Sequence, residues 1–296
     1  MWPILEIAIE PKTPADREKL TVALRKLAVL DPTLHTYIDQ ESGQTILGGT
    51  GEGHLDQTIT TVLGTYGVDA HIGAPQVAYR ETIGRGAQIT YAHKRQTADS
   101  SEFAEVTILF EPTKSSTGYR FSNWVDETIL PGTLVAGVEK GLLEIKERGL
   151  LAGFPVIDIE ACLVGAKYHD VDSTPFAFEI AARASFGQLR DEACPLLLEP
   201  IMKVEVNTPE DYVGDVIGDL NSRLGMIQGT EQRDSAHVII AMVSLSNMFG
   251  YVNTLRFISQ GRANFIMCYD HYERVAQARR PDSDPDLFSP AAAMRA

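Results

Sequence analysis

The sequence predicts an α+β protein built from three units, and three observations lead to this fold class. The first third alternates strand-like and helix-like patterns in the order βαββαβ, and the last third repeats that order with different residues. The middle, residues 80–198, combines strands and helices in another arrangement. A chain of 296 residues is natural for two or three domains.

The first third is predicted to contain strands at residues 5–10, 34–39, 45–47 and 68–72. Thr13 is placed as the N-cap and Pro14 as the first residue of the first helix, since both residue types favour these positions. A turn is expected at residues 41–44. The second helix follows a glycine-rich run at residues 48–53 and is expected to end at Gly67.

The last third is predicted to contain strands at residues 201–206, 225–232, 237–243 and 263–269. Thr208 and Pro209 are placed as the N-cap and first residue of a helix that runs to Arg223. A second helix is expected from Asn247 to Ser259. Each end of the chain therefore suggests a ferredoxin-like unit, a sheet with two helices on one face.

The middle unit is predicted to contain strands at residues 89–95, 103–111, 119–125 and 154–163 and helices at residues 132–148 and 174–191. Asp172 or Ser173 can cap the second of these helices. A loop at residues 165–173 precedes it. The final residues, 276–296, are rich in Pro, Asp, Ser and Ala, and we expect them to be disordered.

Composition excludes several classes of protein. The formal net charge of -14 argues against a generally basic nucleic-acid surface, but recognition by a local patch or by shape stays open. No apolar run approaches a membrane span, and the N-terminus lacks the features of a signal peptide. Cys162, Cys194 and Cys268 form no CxxC pair, so we expect reduced thiols and a cytoplasmic protein without membrane association. A first strand almost at Met1 suggests a fragment, although a short natural protein could begin in the same way.

Motifs for catalysis are absent from the sequence. It contains no GxxxxGK[ST] phosphate-binding loop, no GxSxG elbow and no HExxH pair. Glu52 and His54 could serve acid–base chemistry, but a Glu52 carboxylate that complements the start of the second helix is the favoured interpretation. We therefore expect no catalytic residue, no metal site and no cofactor in this chain.

The loop before the last helix of the middle unit carries the most unusual local cluster. His169, Asp170 and Asp172 are ligand-type side chains, which leaves a metal-dependent enzyme as an alternative of another class, although no complete ligand set is found. Lys167, Tyr168 and His169 combine a cation, a stacking ring and a hydrogen-bonding ring, which are groups that read irregular RNA. An RNA contact and a purely structural loop, in which Asp172 or Ser173 caps the next helix, both stay open.

Nine short runs, in order along residues 4–272, share a resemblance that is specific when they are taken together. They are IEPKT (9–13), ESGQT (41–45), PQVAYRET (75–82), LAGFPV (151–156), YHDVDS (168–173), LLEP (197–200), MFGY (248–251), LR (255–256) and QGRA (260–263). These runs resemble domains III, IV and V of bacterial translation elongation factor G. The resemblance implies ferredoxin-like domains at residues 4–79 and 200–275, flanking a domain at residues 80–199 like domain 2 of ribosomal protein S5.

The resemblance also implies a function. In that family a GTPase domain and a β-barrel domain precede this region, so GTP and Mg²⁺ would be bound there and not in this chain. The chain would engage the ribosome as a monomer during tRNA–mRNA translocation. Two tip loops of the middle domain would contact tRNA or ribosomal RNA in the decoding region, through Lys167, Tyr168, His169, Asp170, Val171 and Asp172 and through Asp99, Ser100 and Ser101. The main contact is expected from His169. The last domain would face large-subunit RNA with Phe249, Tyr251, Arg256 and Arg262.

The chain departs from the family pattern in two places. The second tip loop is usually a glycine-rich run like QxGGxGQ, whereas residues 96–102 read QTADSSE, and added acids disfavour close approach to phosphate. A large apolar residue usually stands where Gly53 lies. These departures indicate a divergent or second-copy member. A specialised role in ribosome recycling or protection is therefore an alternative to translocation, and a scaffold without RNA contact is a further one.

Overall fold

The computed structural model describes residues 3–38, 45–73, 76–96, 101–233 and 236–275. They form two compact units. One comprises residues up to Ala78 together with Glu199–His271, and the other comprises Tyr79–Leu198 together with a segment that begins at Tyr272. Three sheets with their own helices define an α+β fold, with two ferredoxin-like domains and one S5-like domain. Within the described residues, no helix combines the length and the apolar character needed to cross a membrane.

The N-terminal domain is ferredoxin-like, with strand order β2–β3–β1–β4. Its elements are β1 (Leu5–Pro11), α1 (Pro14–Leu30), β2 (His35–Ile38), β3 (Thr45–Gly49), α2 (Glu52–Gly64), β4 (Ala70–Ile72) and a short β5 (Gln76–Val77) that pairs with β1. Thr13 caps α1 as predicted, because its hydroxyl oxygen accepts the Asp16 N–H at 3.1 Å. The prediction for Gly67 is wrong: Thr65 is the C-cap of α2, and Gly67 turns the chain two residues later with a φ of +60°. The predicted turn at 41–44 lies outside the described residues.

The middle domain is a sheet in the order β7–β8–β10–β9. Its elements are β6 (Arg80–Ile83), β7 (Ala87–Gln96), β8 (Ser101–Pro112), β9 (Tyr119–Asn123), α3 (Gly132–Ile145), β10 (Ile159–Lys167), α4 (Pro175–Gly187) and α5 (Leu189–Glu192). β9 and β10 are parallel, and the other neighbours are antiparallel. Phe110 of β8 packs edge-on against Phe186 of α4, with ring centroids 5.9 Å apart, so the core lies between sheet and helices.

The C-terminal domain repeats the strand order of the first, as β12–β13–β11–β14. Its elements are β11 (Pro195–Thr208), α6 (Val213–Ser222), β12 (Met226–Arg233), β13 (Ala236–Ser244), α7 (Leu245–Met248), α8 (Tyr251–Ile258) and β14 (Asn264–Arg274). The helix predicted at residues 247–259 is divided into α7 and α8. Gly250 lies between them with a φ of +71°, a left-handed conformation that ends regular helix.

Three other boundary predictions are wrong for local reasons. The strand predicted from Phe154 begins at Ile159, because Pro155 has no N–H to donate and Asp158 has a φ of +56°. Thr208 does not cap a helix. It ends β11, its hydroxyl donates to the Pro209 carbonyl at 3.4 Å, and a single 3₁₀ turn then precedes α6.

The cap of α4 is the third of these corrections. Thr174, and neither Asp172 nor Ser173, is the N-cap, and its hydroxyl oxygen accepts the Ala177 N–H at 3.1 Å. The hydroxyl of Ser173 is used elsewhere in the loop. Residues 276–296, which we predicted to be disordered, lie outside the described residues.

Candidate functional site

Two segments of the middle domain meet at one end of its sheet. β7 and β8 are antiparallel with Gln96 opposite Ser101, so β7 ends and β8 begins at this end of the sheet. β10 is antiparallel to β8 with Lys167 opposite Glu105, so the chain leaves β10 after Lys167 at the same end of the sheet. The register therefore brings Ser101 and the 167–172 segment together. Asp99 and Ser100 lie outside the described residues.

The turn that follows β10 is fixed to the start of β8 by Ser173 and Phe103. The Phe103 N–H donates to the Asp172 carbonyl at 3.0 Å, and the Ser173 hydroxyl donates to the Phe103 carbonyl at 2.6 Å. The same hydroxyl oxygen accepts the His169 N–H at 2.9 Å, and the Ser173 N–H donates to the His169 carbonyl at 3.0 Å. Residues 169–173 therefore form a closed turn with a defined position on the sheet.

The His169 side chain projects from this turn and is 61% exposed. Its Nδ1 lies 3.2 Å from an Asp172 carboxylate oxygen and 3.4 Å from the Val171 amide nitrogen. Because Nδ1 is engaged inside the turn, Nε2 is the nitrogen left for an outside hydrogen bond. Asp170 is exposed as well, and Val171 is 82% exposed.

Charged side chains near the turn are only partly neutralised. The Lys167 ammonium pairs with Glu105 at 2.6 Å, although 72% of the lysine side chain is exposed. His93 Nε2 lies 3.2 Å from a Glu102 carboxylate oxygen. The Lys94 ammonium lies 5.6 Å from the centre of the Phe103 ring. Arg95 forms no ion pair with any residue that the structure describes.

A cavity of about 410 Å³ opens between the 169–173 turn and the hairpin formed by β7 and β8. Its lining from the hairpin consists of Lys94, Arg95, Gln96, Ser101, Glu102 and Phe103, and its lining from the turn consists of Tyr168, His169 and Asp172. The lining thus combines two cations, two carboxylates, aromatic rings and hydrogen-bonding groups, which offers a planar ligand both stacking and polar contacts. The sequence identified the turn, Ser101 and the 96–102 loop that contains Gln96 and Glu102, but it missed Lys94 and Arg95 as parts of this site.

Among residues 3–38, 45–73, 76–96, 101–233 and 236–275, no three His, Cys, Asp or Glu side chains are grouped to hold a metal ion. His169 and Asp172 pair with each other, as described above. Cys162, Cys194 and Cys268 are free thiols.

The glycine-rich entry to α2 holds a structural histidine. His54 Nδ1 accepts the Thr50 N–H at 3.1 Å, and Nε2 lies 3.0 Å from an Asp31 carboxylate oxygen. His54 therefore connects the end of α1 to the start of α2. A Cβ added at Gly53 would meet no atom within 4 Å, so this position faces open space and glycine leaves no cavity there. The Glu52 side chain lies outside the described part of the chain.

The candidates in the C-terminal domain occupy different environments. Tyr251 is 1% exposed, and its ring packs on Phe265 with centroids 4.9 Å apart, so our prediction that it contacts RNA is corrected to a role in the core. Phe249 is half-buried, and Arg256 and Arg262 are exposed.

One exposed aromatic residue of α8 was missed. Phe257 is 85% exposed, whereas Tyr251 and Leu255 face inward. Because Tyr251 and Leu255 are four residues apart, helical spacing alone would have placed Phe257 on another face.

Comparison with known proteins gives a consistent result for all three domains. Family models match for elongation factor G domain III at residues 2–74, elongation factor G domain IV at residues 75–193 and the elongation factor G C-terminus at residues 196–282. Elongation factor G of Hyphomonas neptunium (strain ATCC 15444) is 53% identical over 276 residues, which are 93% of this chain and 39% of that protein. A crystal structure from Thermus thermophilus matches with a TM-score of 0.74 and 35% identity, over 93% of this chain and 41% of that one.

The fold and these matches define the class: a chain with three domains like those of the C-terminal part of a translation elongation factor. The chain belongs to the elongation factor G family and corresponds to domains III, IV and the C-terminal part. It spans about two fifths of the length of the relatives that it matches, 39% of one and 41% of the other.

Proposed function

We propose that this chain is the ribosome-engaging C-terminal part of a translational GTPase that promotes tRNA–mRNA translocation in the cytoplasm. The proposal rests on the exposed side chain of His169 at the end of the middle domain. The backbone N–H of His169 donates to the Ser173 hydroxyl oxygen, which holds the turn in place. A rigid turn with a free imidazole nitrogen, flanked by Lys167 and Tyr168, can hydrogen-bond and stack on irregular RNA.

The three domains divide this task. Residues 80–199 carry the tip that meets tRNA or ribosomal RNA in the decoding region. Residues 200–275 face large-subunit RNA with Phe249, Arg256 and Arg262, and residues 4–79 couple nucleotide state to domain movement. GTP and Mg²⁺ are bound by the GTPase domain of the whole protein, next to its β-barrel domain. This chain acts as a monomer without catalysis of its own.

Co-sedimentation with 70S ribosomes at low salt tests the proposal, since phosphate contacts are strongest there. We expect saturable binding that weakens in His169→Ala. His71→Ala, which removes an exposed histidine from β4, is the matched control and should bind like wild type. Absence of binding, or equal binding by both variants, would contradict the proposal.

A specialised role in ribosome recycling or protection is the second candidate. It is favoured by the acids Asp99 and Glu102 in a loop that is usually glycine-rich. Changing both to Gly should strengthen ribosome binding if the acids keep this loop away from phosphate. Unchanged binding would remove the support for specialisation.

A further inference from the structure

The cavity beside the His169 turn has the size and lining of a receptor for one nucleotide. Its volume of about 410 Å³ falls within the range of roughly 300–1,000 Å³ that is typical of small-ligand sites. We propose that it binds a single unstacked RNA nucleotide, with the base on Tyr168 and the phosphate at Arg95. The inference rests on the proposed function, because ribosomal or transfer RNA would supply that nucleotide.

The base requires an aromatic face that is not already covered. The Phe103 ring has the Lys94 ammonium 5.6 Å from its centre, so part of that ring is occupied. Tyr168 also lines the cavity and is 36% exposed. Stacking on Tyr168 would accept any base, with some preference for purines because they stack more strongly. The Gln96 amide offers both a donor and an acceptor to the edge of the base.

The phosphate requires a cation that is free to pair. Arg95 lines the cavity and has no ion-pair partner among the described residues, while Lys94 lies on a ring. Two carboxylates in the lining, Glu102 and Asp172, would repel phosphate. Each lies 3.2 Å from a histidine nitrogen, of His93 and His169 respectively, so each has a hydrogen-bond partner other than the ligand. Arg95 is therefore the residue best placed to form a charge-assisted bond to phosphate.

Titration of the 296-residue chain with AMP, adenosine and inorganic phosphate, followed by amide NMR shifts, tests the site. We expect AMP to bind more tightly than adenosine and adenosine more tightly than phosphate, with shifts centred on the cavity. Tyr168→Ala should weaken AMP binding by roughly fivefold or more, which is the scale of one base–aromatic stack. Tyr168→Phe should restore it. Arg95→Ala should weaken the binding of AMP and leave the binding of adenosine unchanged.

Two control variants keep the test specific. Phe257→Ala removes an exposed aromatic ring from the C-terminal domain, and Arg190→Ala removes an exposed arginine from α5. Neither should alter AMP binding. Equal binding of AMP and inorganic phosphate, or AMP binding that is unaffected by both Tyr168→Ala and Arg95→Ala, would overturn the proposal.

Ribosome co-sedimentation separates this inference from the proposed function. If AMP does not bind but ribosome binding still depends on His169, the nucleotide site is wrong and the proposed function stands. If AMP binds with the expected variant pattern and ribosomes do not, the nucleotide site stands and the proposed function is wrong.

Discussion

The buried carboxylate of Glu81 accepts the backbone N–H of Phe154 at 3.0 Å. It also accepts the N–H groups of Leu150, of Leu151 at 2.7 Å and of Ala152 at 2.7 Å, and Glu81 is 0% exposed. Four amide donors thus replace the water that the charge loses on burial. This one side chain on β6 fixes the segment that leads into β10, the strand that carries the candidate site.

Glu81→Gln should destabilise the middle domain by about 1.5–3 kcal/mol, because an amide keeps one acceptor and turns an NH₂ group toward backbone donors. Urea unfolding followed by circular dichroism measures the loss. Glu127→Gln, at an exposed carboxylate in the same domain, is the control and should stay within about 0.5 kcal/mol of wild type. Equal effects of the two changes would show that the four amides do not depend on the charge.

Two helix glycines should respond to alanine with opposite signs. A Cβ at Gly141 of α3 would lie 2.5 Å from the Glu179 carbonyl oxygen of α4, so the helices must separate and stability should fall by about 1–3 kcal/mol. A Cβ at Gly218 of α6 would meet no atom within 4 Å. Gly218→Ala should therefore raise stability by about 0.5–1 kcal/mol through helix propensity. Thermal unfolding of both variants decides the matter, and stabilisation by Gly141→Ala would refute the close packing of α3 on α4.

We expect Arg223 to stabilise the interruption of the helix between α7 and α8. Its guanidinium donates to the Asn247 carbonyl at 2.6 Å and to the Thr254 hydroxyl at 3.0 Å, and it lies 5.0 Å from the centre of the Tyr251 ring. Arg223→Met keeps the aliphatic stem and removes these bonds, so we expect a loss of about 2 kcal/mol in unfolding free energy. Arg256→Met, at an exposed arginine of α8, should cost less than about 0.5 kcal/mol. A loss that is no larger for Arg223→Met than for Arg256→Met would assign the break to Gly250 alone.

Two tyrosines with buried hydroxyl groups, Tyr119 and Tyr251, should make the fold sensitive to alkali. Burial raises the pKa of Tyr119, with a contribution from Glu139, and burial raises the pKa of Tyr251, with a contribution from Asp219. In the unfolded chain a tyrosine ionises near pH 10, so above this pH unfolding releases a proton that the folded protein keeps bound. The stability contribution of each tyrosine is complete below about pH 10 and falls by about 1.4 kcal/mol per pH unit above it.

Urea unfolding from pH 8 to 11 measures this slope. Tyr251→Phe and Tyr119→Phe should each flatten it. At neutral pH both core variants should be close to wild type, because neither hydroxyl has a hydrogen-bond partner among the described residues. An unchanged alkaline slope in both core variants would refute the account.

Local signals in the sequence predicted most of the fold. Alternation along β1 and the Thr13 cap of α1 act within a few residues, so they can be recognised without tertiary information. The break at Gly250 could not be placed in this way. A glycine inside an apolar helical pattern fits either a continuous helix or a turn, and here Arg223, which is distant in sequence, bonds the carbonyl of Asn247 before the break.

Only part of the candidate site could be predicted from the sequence, because the rest also depends on residues that are distant along the chain. The composition of the Lys167–Asp172 segment is visible in the sequence, so the turn could be proposed from the residues alone. The cavity depends on the strand register, which sets Gln96 opposite Ser101 and Lys167 opposite Glu105. No single segment encodes that register, and the contribution of Arg95 was therefore missed.

The most direct test of the central claim is a photo-crosslinking residue at Val171, which is 82% exposed on the proposed contact turn. In 70S ribosomes we expect it to crosslink tRNA or small-subunit ribosomal RNA. The same residue at Arg190, exposed on α5 of the same domain, should give no such product. RNA adducts from Val171 that do not exceed those from Arg190 would contradict the assignment of this turn to the RNA-contacting tip.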